Sequence, residues 1–156
     1  MPLSPGDAAP DFDLPTHDGR VALKSLKGKV VVLYFYPKDD TSGCTAEAQG
    51  FSAAAADFAK AGAMVVGVSK DSAASHGKFS AKYGLDVVLG SAKDDDAVER
   101  YGAWVEKSMY GRKYMGIDRS TFLIDRQGVI RRVWRKVKVP GHVAEVLAEA
   151  KALARA

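Results

Sequence analysis

Cysteine is almost missing from this chain of 156 residues. Cys44 is the only one, so no disulfide can form within the chain, and thiol chemistry must run through Cys44 alone or with a second molecule. A chain without a disulfide framework fits a reducing compartment. Long apolar runs are missing too: the longest, Val30 to Tyr36, is about a third of the roughly 20 residues that a membrane-spanning helix needs. The expectation is a soluble protein with no membrane partner. Met1 to Gly6 has neither the basic start nor the apolar stretch of a secretory signal, so the expected location is cytoplasmic. Charge of one sign is not in large excess either, since 23 Lys and Arg face 19 Asp and Glu for a net +4. No repeat, linker or low-complexity tract interrupts the chain. With 47% hydrophobic residues, it holds enough apolar material for one domain spanning 1–156 and not for two.

The one local charge imbalance is Arg126 to Lys138, with six basic residues and no acid. A basic strand carrying Trp134 can in principle lie along a nucleic-acid backbone, which defines the rival reading of a non-catalytic binding module using Arg131 to Lys138. No second aromatic platform or basic helix accompanies it, so the reading favoured is a solvated amphipathic strand and no nucleic-acid partner.

Val30 to Tyr36 is a β-branched and aromatic run bounded by Gly28-Lys29 and Pro37, the signature of a strand buried on both faces at the centre of a sheet. After the Pro37 to Gly43 turn, Ala48, Phe51, Ala55 and Phe58 recur three and four apart, predicting one helix from Thr45 to Ala61 that ends at Gly62, with Cys44 at its N-terminus. The pattern continues with a strand from Ala63 to Ser69, a helix from Ser72 to Tyr83 stopped by Gly84, a short strand at Val87 to Leu89 and a short helix at Asp96 to Tyr101. Gly102 to Asp118, holding Tyr110, Tyr114 and Met115, reads as a long loop, and loops of that length are functional or mobile. Ser120 to Asp125 and Val129 to Val137 form a hairpin across Arg126-Gln127-Gly128, and a last helix runs from Pro140 to Ala154. The class is α/β: a mixed central sheet with helices on both faces.

A thiol at the start of a helix faces unpaired backbone N–H groups and the positive end of the helix dipole, and both favour thiolate over thiol. Upstream, Pro37-Lys38-Asp39-Asp40-Thr41-Ser42-Gly43 supplies a rigid corner, a hydroxyl three residues before the sulfur, and a glycine that lets backbone approach a small ligand. Taken singly, each residue has a plainer explanation. Free cysteine is commonly a small buried hydrophobe, Thr41 a local cap, Pro37 punctuation, and Arg119 a surface charge before a strand. Glu47, in the first turn, reads as a surface acid compatible with the dipole. His76 and His142 read as surface or capping residues and His17 as a loop residue, too scattered for a metal site.

The run from Phe35 to Thr45, with Pro, three residues, Thr, two residues and Cys behind a buried strand, resembles the active-site segment of peroxiredoxins of the bacterioferritin comigratory protein or PrxQ subfamily. The likeness extends to Ala9-Pro10-Asp11-Phe12, Val68 to Asp71, Ser75-His76, Lys107 to Gly111, Gly116 to Asp125 and Trp134 to Val137, and so takes in nearly the whole chain. It implies a thioredoxin-like fold, no cofactor, and antioxidant reduction of hydrogen peroxide or alkyl hydroperoxides. Its implied catalytic set is Cys44 as nucleophile with Pro37, Thr41 and Arg119. Gly43, Cys44, Thr41 and Arg119 would hold the peroxide, Pro37 would shield the sulfur, and Glu47 would make a structural hydrogen bond near the site.

Relatives carry a resolving cysteine at one of two positions, which in this sequence are Gln49 and Ser80. Ser80 fits either a natural one-cysteine enzyme or an engineered replacement. In the chain as written, peroxide would take Cys44 to a sulfenic acid that glutathione or another small thiol, thioredoxin or a glutaredoxin must reduce. The family likeness leans towards a monomer. Thiol-disulfide exchange by an internal pair is excluded by the single cysteine.

Overall fold

The computed structural model describes residues 3–155. Strand β3 (Val30–Phe35) is buried along its whole length, as its unbroken β-branched and aromatic run requires. It is the middle strand of a five-stranded sheet in which β4 (Ala63–Ser69) lies parallel on one side, with β5 (Val88–Ser91) beyond it, also parallel. On the other side β8 (Ser120–Ile124) runs antiparallel to β3, and β9 (Ile130–Trp134) antiparallel to β8.

Alternation along β3 sends side chains to two separate apolar layers. Val30, Val32, Tyr34 and Tyr36 meet Ala48 and Phe51 of α1 (Ser42–Ala53), Phe58 of α2 (Ala55–Lys60), Phe79 of α3 (Ala73–Tyr83) and Val146 of α5 (His142–Ala154). Val31, Leu33 and Phe35 meet Leu14 and Val21 of an N-terminal hairpin, β1 (Asp13–Thr16) and β2 (Gly19–Ala22), together with Leu26 and Val98 of the short α4 (Ala97–Arg100). Helices therefore lie on both faces, unevenly, because the hairpin does most of the covering on the second.

Two predicted elements differ. The helix expected from Thr45 to Ala61 is broken at Ala54 (ψ 3°), whose N–H bonds to the carbonyl of Gly50; the turn carries Phe58 back towards Phe51, 5.9 Å between ring centroids. An all-alanine joint carries no sequence mark of such a break. The long loop expected from Gly102 to Asp118 is instead a ribbon, β6 (Trp104–Met109) and β7 (Arg112–Ile117), closed by Tyr110 and Gly111, both with positive φ. Bulky Tyr110 takes a position where Asn is usual, so the turn signal was concealed. No described helix is long and apolar enough to cross a membrane.

Tyr34 leans across the sheet onto β4, where its partner in register is Gly67. A Cβ at Gly67 would stand 2.6 Å from the ring, so only glycine admits the tyrosine there.

Candidate active site

The site forms where β3 ends and α1 begins. Thr41 is the N-cap, and the first helical backbone bond runs from the Thr45 N–H to the Thr41 carbonyl. The N–H groups of Ser42, Gly43 and Cys44 thus come before that bond, in the turn where a helix has unpaired donors. Cys44, 1% exposed, sits in this turn. Its Sγ accepts a hydrogen bond from Arg119 Nη2 at 3.2 Å. Arg119 Nη1 donates to Glu47 Oε1 at 2.6 Å, so one guanidinium spans sulfur and carboxylate in a fixed fork. A Cβ at Gly43 would lie 3.2 Å from that guanidinium, which is why the approach is open at this residue.

Glu47 is fully buried, not the surface acid read from the sequence. It lies one turn after Cys44 and turns inward because Arg119 arrives from the start of β8. Burial pushes its carboxyl up to about 7 against the pull of Arg119. For Arg119, burial works against the charge, but Glu47 and Cys44 outweigh it and raise its pKa.

The Thr41 hydroxyl donates to the Lys38 carbonyl at 2.9 Å, which leaves its oxygen free as an acceptor. Pro37 is exposed on the turn above the buried Tyr36. Gln49 is exposed on α1, and Ser80 sits in the last full turn of α3 with its hydroxyl 3.4 Å from the Leu85 carbonyl. Ser80 lines a cavity of about 750 Å³ with Phe58, Val65 and Leu85, and none of Cys44, Thr41 and Arg119 borders it.

Sequence reading missed how the turn before Cys44 is held. His76, expected at the surface, is fully buried, with Nδ1 2.7 Å from Asp39 Oδ2 and Nε2 3.1 Å from the Gly90 carbonyl. Both ring nitrogens are thereby engaged within the fold. Tyr36 and Ser75 donate to the same carboxylate, at 2.6 and 2.8 Å. Burial alone would raise the Asp39 pKa, but His76 and Tyr36 outweigh it and lower it. Asp71 accepts from the Asp39 N–H at 2.8 Å and from Ser69. Asp39, Asp71 and His76 fall within metal-ligand spacing, but hydrogen bonds already occupy the ligating atoms. His142 is also buried, its Nε2 2.8 Å from Thr121 Oγ1, and His17 is exposed. The signal available in the sequence was the Asp39 and Ser75-His76 pair, legible only once α3 is known to pack beside the turn.

The basic strand is partly engaged within the fold. Trp134 is buried, with Nε1 donating to Glu145 at 2.8 Å; Arg131 pairs with Asp125 and Arg132 with Glu145 and Glu149.

A thiol beneath a guanidinium, at a helix N-terminus on this sheet, defines a thiol-dependent peroxidase. Residues 5–133 match the AhpC/TSA family. The chain is 54% identical to the bcp peroxiredoxin named in Coxiella burnetii, over 94% of this chain and 98% of that one, and 47% identical to peroxiredoxin Bcp of Bacillus subtilis, over 94% of each. The solved bacterioferritin comigratory protein of Xanthomonas campestris superposes with a TM-score of 0.88 at 42% identity, covering 99% and 98% of the two chains. The chain belongs to the AhpC/TSA family, within its bacterioferritin comigratory protein or PrxQ peroxiredoxins, and has their thioredoxin-like fold. Solved cysteine-to-serine variants of the Xanthomonas protein fall at its positions 48 and 84, the same separation as Cys44 and Ser80 here.

Proposed function

We propose that Cys44 is the peroxidatic nucleophile of this peroxidase, with Arg119, Thr41 and the N–H groups of Gly43 and Cys44 holding the peroxide. The observation that carries the reading is the 3.2 Å bond from Arg119 to the Cys44 sulfur, made while Glu47 holds the other arm of the guanidinium. The thiolate attacks the nearer peroxide oxygen. The O–O bond breaks, the sulfur becomes a sulfenic acid, and the departing alkoxide or hydroxide takes a proton to leave as alcohol or water. Charge moves to the leaving oxygen, where Arg119 and the helix N–H groups stabilise it. Thr41, with its own proton on the Lys38 carbonyl, accepts the hydroperoxide O–H. Pro37 caps the corner and limits water at the sulfur.

The turnover is completed by an external thiol. Attack on the sulfenic sulfur expels water and leaves a mixed disulfide, which a second thiol cleaves to restore Cys44. Thioredoxin, a glutaredoxin or a small thiol can serve, in a cytoplasmic monomer. The Xanthomonas structure is described in terms of alkyl peroxide reduction, which supports organic hydroperoxides as substrates here alongside hydrogen peroxide.

Stopped-flow mixing with hydrogen peroxide and with an alkyl hydroperoxide tests the assignment, followed by sulfenate trapping on intact protein. Wild type should acquire the trap at Cys44 after one equivalent, and Cys44→Ser should turn over no faster than buffer. Residual turnover in the variant would sink it.

A further inference from the structure

Among the described residues the large hydrophobic side chains left exposed are Met109, Tyr110, Tyr114 and Met115, at 57, 98, 44 and 50%. All four belong to the β6–β7 ribbon, which pairs with neither of the other sheets. In register, Lys107 faces Tyr114 and Met109 faces Arg112, placing Met109 diagonal to Tyr114 on one side, while Met115 faces Glu106 on the other. Lys107, Arg112 and Lys113 make no ion pair among the described residues, so the ribbon mixes apolar contact area with unspent positive charge. Grouped exposed apolar surface of this kind marks an interaction site.

The tip reinforces this. Tyr110 adopts φ 52°, a left-handed conformation that bulky residues avoid, and the ring it projects is almost wholly in solvent. Nothing within the fold is gained by that ring, and Asn would suit the backbone better.

The base of the ribbon fixes where a partner would sit. β7 ends at Ile117, Asp118 bonds back to the Ala103 carbonyl at 2.7 Å, and the next residue is Arg119. Six residues of strand at about 3.3 Å each give the ribbon a reach of roughly 20 Å from the site. A partner burying about 800 Å² on its side has a footprint of that scale.

We propose that the β6–β7 ribbon is the docking surface for a protein reductant, one that presents its thiol from an apolar patch rimmed with acidic residues. This rests on the assignment of Cys44 as peroxidatic nucleophile. The oxidised sulfur must meet a thiol from another molecule, because the chain has no second one, and the ribbon that carries this exposed apolar surface ends two residues before Arg119, which touches the sulfur. Tyr110, Met109 and Tyr114 supply contact area, and Arg112, which faces Met109 on the same side, steers the acidic rim.

The test compares two reductants on the same enzyme: thioredoxin recycled by its reductase and NADPH, and dithiothreitol. The variants are Tyr110→Asn, which the turn accepts without strain, Met109→Ser combined with Tyr114→Ser, and Arg112→Glu. Each should lower kcat/KM for thioredoxin by about tenfold or more. Turnover with dithiothreitol and the stopped-flow rate of Cys44 oxidation should stay within about twofold of wild type, since these residues lie outside the Cys44–Arg119 site. Arg112→Glu should also flatten the salt dependence of the thioredoxin rate. Unchanged kcat/KM for thioredoxin in all three variants overturns the proposal. So does a ribbon whose loss abolishes a sedimenting dimer or binding to phosphatidylglycerol vesicles while thioredoxin turnover persists. A wild-type enzyme inactive with both reductants would instead indict the Cys44 assignment, and the two failures are distinguishable.

Discussion

His76 Nδ1 stands 2.7 Å from Asp39 Oδ2 with both side chains out of solvent, and this contact bolts α3 to the turn that precedes Cys44. A second tie runs alongside it, from Lys82 and Tyr83 of α3 to the Asp40 carboxylate at 2.7 and 2.6 Å. The turn is therefore located by a helix that makes no hydrogen bond to the sulfur among the described residues.

Removing His76 leaves the buried Asp39 carboxylate without its 2.7 Å partner. His76→Ala should lower unfolding free energy by about 3 kcal/mol, read from urea denaturation near neutral pH. Because the folded Asp39 pKa is depressed, its stabilisation is present above the ordinary carboxyl range and is lost as pH falls through the lowered value. The wild-type advantage over His76→Ala should shrink on acidification. An advantage constant with pH would show that the pair is held by packing alone.

Among the described residues Arg119 is the one side chain that joins the sulfur to a buried acid, so its loss removes a positioned charge from the reacting centre. Arg119→Ala should slow the peroxide step by roughly 100-fold, the usual cost of one preorganised electrostatic donor. Arg119→Lys should recover little, since an ammonium cannot span Glu47 and Cys44 at once. Stopped-flow rates near wild type in either variant would place the peroxide elsewhere.

Glu47 predicts a stability slope of unusual sign. Its carboxyl keeps a proton up to about 7 in the folded protein, against 4.5 for the ordinary group. Between those values the native state binds more protons than the unfolded one, so this group's contribution weakens as pH rises, by up to about 1.4 kcal/mol per pH unit. Urea titrations of wild type and Glu47→Gln across that range should show the wild type losing ground steadily, with no further divergence at more alkaline pH. Parallel curves would mean that Glu47 is ionised throughout.

Ser80 matches the spacing of the second cysteine replaced in the Xanthomonas structures. It lies in α3, against a cavity apart from Cys44, so a thiol there would reach the sulfur only after α3 and the start of α1 unwind locally. Ser80→Cys should form an intrachain disulfide after one equivalent of peroxide, a loss of two hydrogens in intact mass, and should resist over-oxidation. Added oxygen without a disulfide would mark a true one-cysteine enzyme.

What the residues alone determined is local and periodic. The buried centre of the sheet was legible in Val30 to Tyr36 because a strand covered on both faces has no polar alternation to hide it. The placing of Cys44 in the first turn of a helix was legible, although α1 begins at Ser42, and so was the stop at Gly84, because a left-handed glycine cap is short-range backbone chemistry. Motif likeness carried Thr41, Cys44 and Arg119, and the fold brings Cys44 and Arg119 into contact. Tertiary structure decided the rest: the break at Ala54, the ribbon inside an expected loop, the burial of Glu47 and the burial of His76. Each depends on which distant element supplies a partner, Arg119 for Glu47 and Asp39 for His76, and a charged side chain looks solvated in sequence until the opposite charge that takes it out of water is in place.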